Sequence, residues 1–252
     1  MGIKDEIQAY ANAVVSLDTG EIELWDHIIF PNVIRKRELK LIFDVLQRNR
    51  PRTVLDFGCG AGWLSKILLS KGYDITGIDA SASLIGSAVK SCGEGRFVVG
   101  DGMDMPFADG AFDCVIGIAI LHHLEADRAL AECRRVTSPG GILILMEPNK
   151  FNPSAALARQ FINLRTKDED PFYPGRLKRA LDLARWESLQ FSYLFPYSFS
   201  LSYLFKISRL ERWKGLKVVC PMVETTEKII ERVPLLNRLS YLIFAVARKG
   251  TP

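Results

Sequence analysis

The stretch over residues 53–65, TVLDFGCGAGWLS, restricts the fold of this chain more than any other. Apolar Val54, Leu55 and Phe57 surround a single acid, Asp56. Glycines then alternate at Gly58, Gly60 and Gly62, and Trp63, Leu64, Ile67, Leu68 and Leu69 follow at helical spacing. A buried strand, a sharp turn and a helix account for this pattern. Alternate glycines let the backbone bend tightly and let a ligand approach where a Cβ would block it. The helix start beyond offers unpaired N–H groups and the positive end of a dipole. Two ligand classes fit. The dinucleotide fingerprint spaces its glycines G-x-G-x-x-G and seats pyrophosphate on the helix N-terminus. Here the third glycine comes one residue early, and Asp56 stands two residues before the first, close to where an anionic pyrophosphate would lie. A carboxylate there suits a ligand that carries an ammonium group.

From Pro51 onward strand and helix patterns alternate. Strands are predicted over 53–57, 74–78 (closed by Asp79), 96–99, 113–118 and 142–146, with helices over 62–70, 82–90 and 126–136. Such alternation predicts an α/β fold, a doubly wound and mostly parallel sheet with right-handed crossovers. Ligands of these sheets bind beyond the carboxyl ends of the strands, where strand order reverses. Asp79 lies 21 residues after Gly58 and can accept both hydroxyls of a ribose. It indicates a nucleoside without choosing between cofactors.

The D-x-G-x-G-x-G run from Asp56 to Gly62 resembles motif I of the class I S-adenosylmethionine-dependent methyltransferases. Three further stretches, in order, are similar to signatures of that family: GDGMDMPFADGAFDCVIG over 100–117, IAILHHL over 118–124 and VTSPGGILILMEPN over 136–149. The resemblance spans about residues 50–150. It implies a seven-stranded sheet whose antiparallel last strand, over 238–248, sits between the fifth and sixth. It also implies S-adenosylmethionine as cofactor and S-adenosylhomocysteine as product. The cofactor-binding positions carried over are Asp56, Gly58, Cys59, Gly60, Gly62, Asp79 and Ala80. Asp101 would accept from the adenine amine, and Gly102 and Met103 would add a backbone contact and an apolar cover. Backbone carbonyls of Ile118 and Ala119 would hold the methionine ammonium. Pro139 is expected to end a helix, with a turn at Gly140 and Gly141 before the fifth strand.

Outside this region the pattern is looser. A helix over 3–18, an aromatic stretch ending at Pro31 and a helix over 34–47 suggest an N-terminal helical cap over 1–50, with Tyr10, Trp25 and His27 as candidates to line an acceptor pocket. Helices over 153–165 and 176–185 and a sixth strand over 188–194 complete a methyltransferase domain over 51–198 and 234–252. Residues 199–233 read as a helical insertion, a lid over the acceptor side. Five cysteines, an odd number with no C-x-x-C spacing, predict reduced thiols and no metal site. With no signal-like start and no apolar run of membrane-span length, a cytoplasmic protein is expected.

A methyl transfer to a hydroxyl needs a proton acceptor, and three side chains qualify. His123 leads, followed by its neighbour His122 and by Glu147 at the end of the fifth strand. The expected partner is a small-molecule acceptor: uncharged, aromatic residues 189–205 and basic segments at 176–179 and 209–217 admit a lipid-like or otherwise bulky one, and a small polar metabolite or a sugar is the alternative. Residues 151–252 carry 17 basic against 9 acidic side chains, a balance of +8, which leaves residues 1–150 at −4. A contact with a membrane surface is consistent with this; nucleic acid is not expected. The rival readings are a non-catalytic protein that binds S-adenosylmethionine and an NAD-dependent oxidoreductase, the second disfavoured by Asp56 and the early third glycine.

Overall fold

The computed structural model describes residues 29–153, 171–198, 201 and 215–251. The helix expected over 3–18, the residues Tyr10, Trp25 and His27, nearly all of the helix expected over 153–165, and residues 199–200 and 202–214 of the insertion lie outside the described residues. Helix α1 (Ile29–Asn49) leads into β1 (Thr53–Phe57), α2 (Trp63–Ser70), β2 (Asp74–Asp79), α3 (Ala82–Cys92), β3 (Arg96–Val99) and β4 (Phe112–Ile118). A 3-10 turn (Leu121–His123), α4 (Ala126–Val136), β5 (Thr137–Pro148), α5 (Pro174–Leu183), β6 (Trp186–Leu194), α6 (Leu216–Arg232) and β7 (Leu242–Lys249) follow.

The strands make one seven-stranded sheet in the order β3-β2-β1-β4-β5-β7-β6. All pairings from β3 to β5 are parallel, and β7 runs antiparallel to both β5 and β6. This is the doubly wound sheet expected from the sequence, with its antiparallel last strand. Side chains alternate across it with period two. Val54, Cys114, Ile116, Ile142 and Ile144 pack with Ile42 and Leu46 of α1 and Leu64 and Leu68 of α2. Leu55, Phe57, Val115, Leu143 and Leu145 pack on the other face with Leu130 of α4 and Leu177 and Leu181 of α5. Each such side chain contributes roughly 1.5–3 kcal/mol by leaving water. Strand order reverses between β1 and β4, so a crevice opens at their carboxyl ends.

Four boundaries depart from expectation. Helix α1 is already formed at Ile29, the first described residue, and so reaches back past the expected start at residue 34 and takes in Pro31. The Pro-Gly-Gly segment does not separate helix from strand: α4 has ended at Val136, and Thr137 already pairs with Phe112. Residues 138–141 instead bulge out of β5 before Ile142 meets Cys114. β6 begins at Trp186, two residues before the expected 188, and its pairing with β7 shifts register between Glu187 and Gln190. Finally, β7 starts at Leu242, not at residue 238, because two buried asparagines capture the preceding carbonyls. Asn149 Nδ2 donates to Arg238 O and Ser240 O, and Asn152 Nδ2 donates to Leu239 O and Pro196 O. Residues 237–239 therefore close into a 3-10 turn.

Candidate active site

At the end of β1 the backbone N–H groups of Gly58 and Cys59 both donate to Ile78 O of β2, at 2.9 and 3.0 Å. The chain then turns with φ of 72°, 54° and 83° at Gly58, Gly60 and Gly62. A Cβ on Gly58 would lie 2.5 Å from Ile120 Cγ1, and one on Gly62 would lie 2.7 Å from Cys92 Sγ. Glycine is required at both positions by conformation and by space. Asp79, ending β2, holds the turn from the other side: its Oδ2 accepts from Gly60 N and its Oδ1 from Ser81 N, both at 2.9 Å. Ala80 follows it, exposed.

Asp56 is 4% exposed. Its Oδ2 accepts from Ser65 Oγ of α2 at 2.6 Å, and among the described residues it has no ion pair. Burial pushes its carboxyl up to about 6 against the pull of the Ser65 hydroxyl, with the nearby Asp79 charge adding slightly. A buried carboxylate in this state favours any ligand that brings a cation. Cys59, in the turn itself, is a buried thiol pushed up by burial and then by Asp56 and Asp79, so it supplies backbone rather than a nucleophile.

Beyond β3, Asp101 is exposed and its Oδ1 accepts from Met103 N at 2.8 Å. Gly102 lies against the Phe57 ring, and Met103 packs half-buried on the core. The loop that follows is held by two side chains of α4. Arg135 donates to Phe107 O, Met105 O and Asp109 Oδ1, and Glu132 Oε2 accepts from Met105 N. The Arg135 hydrogen bond keeps the Glu132 carboxyl below its usual range.

Beyond β4, Ala119 adopts φ 52° and donates to Met146 O at 2.7 Å. A positive φ at a non-glycine residue is costly and is commonly found where a site fixes the backbone. The cause lies in Glu147 of β5, which has no solvent exposure. Its carboxylate accepts from the N–H groups of Ile120, Leu121 and His122 at 3.2, 2.8 and 3.4 Å, and from His122 Nδ1 at 2.7 Å. Glu147 thus anchors the 3-10 turn and orients one imidazole. His122 is 7% exposed, whereas His123 is exposed, its ring 4.0 Å from that of His122.

All the sequence-predicted positions from Asp56 to Glu147 therefore stand at the carboxyl edge of β1 to β5, five parallel strands. Two surface clefts, of about 590 and 470 Å³, lie instead beside Gln47 and Tyr73 at the opposite edge.

Residues 55–145 match the family model of the methyltransferase domain. These residues belong to that family. The chain is 35% identical over 116 residues to a demethylmenaquinone methyltransferase of Thermotoga maritima, covering 45% of this chain and 49% of that protein. It is 37% identical over 101 residues to a malonyl-[acyl-carrier protein] O-methyltransferase of Erwinia pyrifoliae, covering 38% of each chain. The chain thus spans half or less of the length of the curated relatives it matches. A solved S-adenosylmethionine-dependent methyltransferase of Archaeoglobus fulgidus superposes with a TM-score of 0.55 at 17% identity, over 83% of this chain and 94% of that one. Glu147, α5, α6 and β7 fall outside the methyltransferase domain match.

Four residues at this edge were not among the expected site positions. Ser65 sits nine residues after Asp56 and contacts it only once β1 and α2 are folded together. Glu132 and Arg135 look like an ordinary i,i+3 surface pair until the loop over residues 105–110 lies across them. Ile120 fills the space over Gly58.

Proposed function

We propose that the protein transfers a methyl group from S-adenosylmethionine to a small-molecule acceptor. The observation that carries this reading is Asp56, a buried carboxylate pushed up to about 6 beside a glycine turn and without an ion pair among the described residues. It suits the ammonium of the methionine moiety. In this reading Asp79 would meet the ribose, Asp101 the adenine amine, and the Ile118 and Ala119 backbone the same ligand from the end of β4. When bound, the cofactor supplies an electrophilic methyl on a sulfonium.

The chain itself must hold donor and acceptor in line and exclude water. His122 is the better base of the adjacent pair. With Nδ1–H donated to Glu147, its Nε2 carries the lone pair that takes a proton from an acceptor hydroxyl. Glu147 acts through His122 as a positioning residue. The quinone-type and acyl-carrier acceptors named in the matched relatives support a bulky acceptor over a small polar one. We read residues 199–233 with the N-terminal cap as cover for the acceptor side. The part of it that α6 represents packs near the exit of β6, through Glu227 and Glu231.

The test is a transfer assay with methyl-labelled S-adenosylmethionine and acceptors drawn separately from lipid-soluble and water-soluble small molecules. Label recovered in a small-molecule product is the expected result. Binding of the cofactor with no transfer to either fraction would make the protein a non-catalytic binder.

A further inference from the structure

Seven of the twelve large apolar side chains that stand exposed among the described residues fall within residues 218–239. Val218, Met222 and Ile229 are 69, 65 and 58% exposed, and their spacing of four and seven places them on one stripe of α6. Leu235, Leu236 and Leu239 extend the apolar surface through the turn that follows, with Leu235 72% exposed. Apolar surface concentrated in this way marks a contact site, whereas scattered exposed side chains do not.

The charges of the same segment are sorted by side. Glu227 and Glu231 point inward: Arg37 of α1 donates to both, at 3.3 and 2.6 Å, and the N–H groups of Phe195, Tyr197 and Ser198 complete their hydrogen bonding. Glu224 is paired with Lys228 at 2.8 Å. Beyond that pair, the exposed charges along the stripe and its turn are Arg232 and Arg238. An amphipathic helix with an apolar stripe and a cationic margin is built for an anionic bilayer surface. A second copy of the chain, placed face to face, would set the same two arginines against themselves.

The location connects this surface to the reaction. β6 runs in the direction of β5, since both are antiparallel to β7. Its exit at Phe195 is therefore on the carboxyl edge, where the candidate site lies, and α6 is fastened to that exit. Arg35, two residues before Arg37, stacks over Trp63 at the start of α2, directly after the glycine turn.

We propose that the outer face of α6 and residues 233–239 dock the protein on an anionic lipid bilayer, so that its acceptor is an amphiphile dissolved in that membrane. The proposal rests on the methyl-transfer reading for its second half only. The experiment is co-sedimentation of the full chain with phosphatidylglycerol-containing vesicles and with pure phosphatidylcholine vesicles, with size-exclusion chromatography of each protein. Binding to the anionic vesicles is expected, at least tenfold weaker for the double variant Met222→Glu/Ile229→Glu and weaker on the neutral vesicles. Leu235→Ser/Leu236→Ser, outside the helix, gives the same loss without touching helix folding. Absence of vesicle binding by the unmodified chain, or equal binding by both variants, overturns the proposal. So does a dimer that the same substitutions dissociate, which would assign the face to a second copy. Stabilisation by S-adenosylhomocysteine is measured on the same samples. A failed functional reading shows as its absence, and failed docking as unbound protein that still responds to it.

Discussion

Two regions of this molecule bury carboxylates, and they do so in opposite ways. At the clasp between α1 and α6, Glu227 and Glu231 are met by the Arg37 guanidinium and by backbone donors. Burial still holds Glu231 above the usual carboxylate range, with Arg37 opposing it. At the carboxyl edge of β1, Asp56 is 4% exposed and is held by the Ser65 hydroxyl and the Ser65 backbone, with no cation among the described residues. The clasp finds its cation within the chain. The site does not among the described residues, and a buried acid left without its cation is where a ligand cation belongs. The comparison separates a carboxylate kept for structure from one kept for binding.

The largest effect comes from making the clasp resemble the site. Arg37→Ala leaves two buried carboxylates unpaired and is expected to destabilise the protein by about 3–5 kcal/mol in urea denaturation. A loss below about 1 kcal/mol would show that backbone donors suffice.

The reverse change makes the site resemble the clasp. Folding raises the Asp56 carboxyl from 3.8 to about 6, so it favours the protonated form. That stabilisation is complete below the lower value and is lost as pH rises through the upper one. Asp56→Asn should therefore stabilise the ligand-free protein at pH 7.5 by roughly 3 kcal/mol, and this gain should vanish near pH 3.5. Equal stability of the two proteins at pH 7.5 would remove the contrast on which the reading rests.

The two regions also differ in how far the sequence announced them. Strand, glycine turn and helix follow one another within residues 53–70, so the site edge could be read from local pattern, and Asp56, Asp79 and the alternate glycines stand at the strand ends as expected. The partners that give these residues their character are distant in sequence or outside any pattern. Glu147 reaches back 25 to 27 residues to the turn it anchors and to the His122 imidazole, contacts that no local pattern announces. The C-terminal part was harder still. Apolar periodicity continues through Leu239, and only the long-range capture of backbone by Asn149 and Asn152 delays β7 to Leu242. The inward turn of Glu227 and Glu231 depends on Arg37, some 190 residues away.

Smaller effects refine the site side of the comparison. His122→Ala should lower kcat by about a hundredfold and flatten its dependence on pH, leaving S-adenosylhomocysteine affinity within about twofold. An unchanged kcat would mean an acceptor that needs no base. Asp79→Asn should keep the fold and weaken S-adenosylhomocysteine binding by about tenfold to a hundredfold, the worth of one charged hydrogen bond of roughly 1.5–3 kcal/mol. Calorimetry showing unaltered affinity would move the ribose elsewhere.

The claim that the unpaired Asp56 receives the ammonium of an S-adenosyl ligand is tested most directly by titration calorimetry of the unmodified protein and of Asp56→Asn with S-adenosylhomocysteine, 5′-methylthioadenosine and NAD. The account predicts that S-adenosylhomocysteine binds at least tenfold more tightly than 5′-methylthioadenosine to the unmodified protein, that this margin disappears in Asp56→Asn, and that NAD does not bind. NAD binding as tightly as S-adenosylhomocysteine, or a margin that survives in Asp56→Asn, would contradict it.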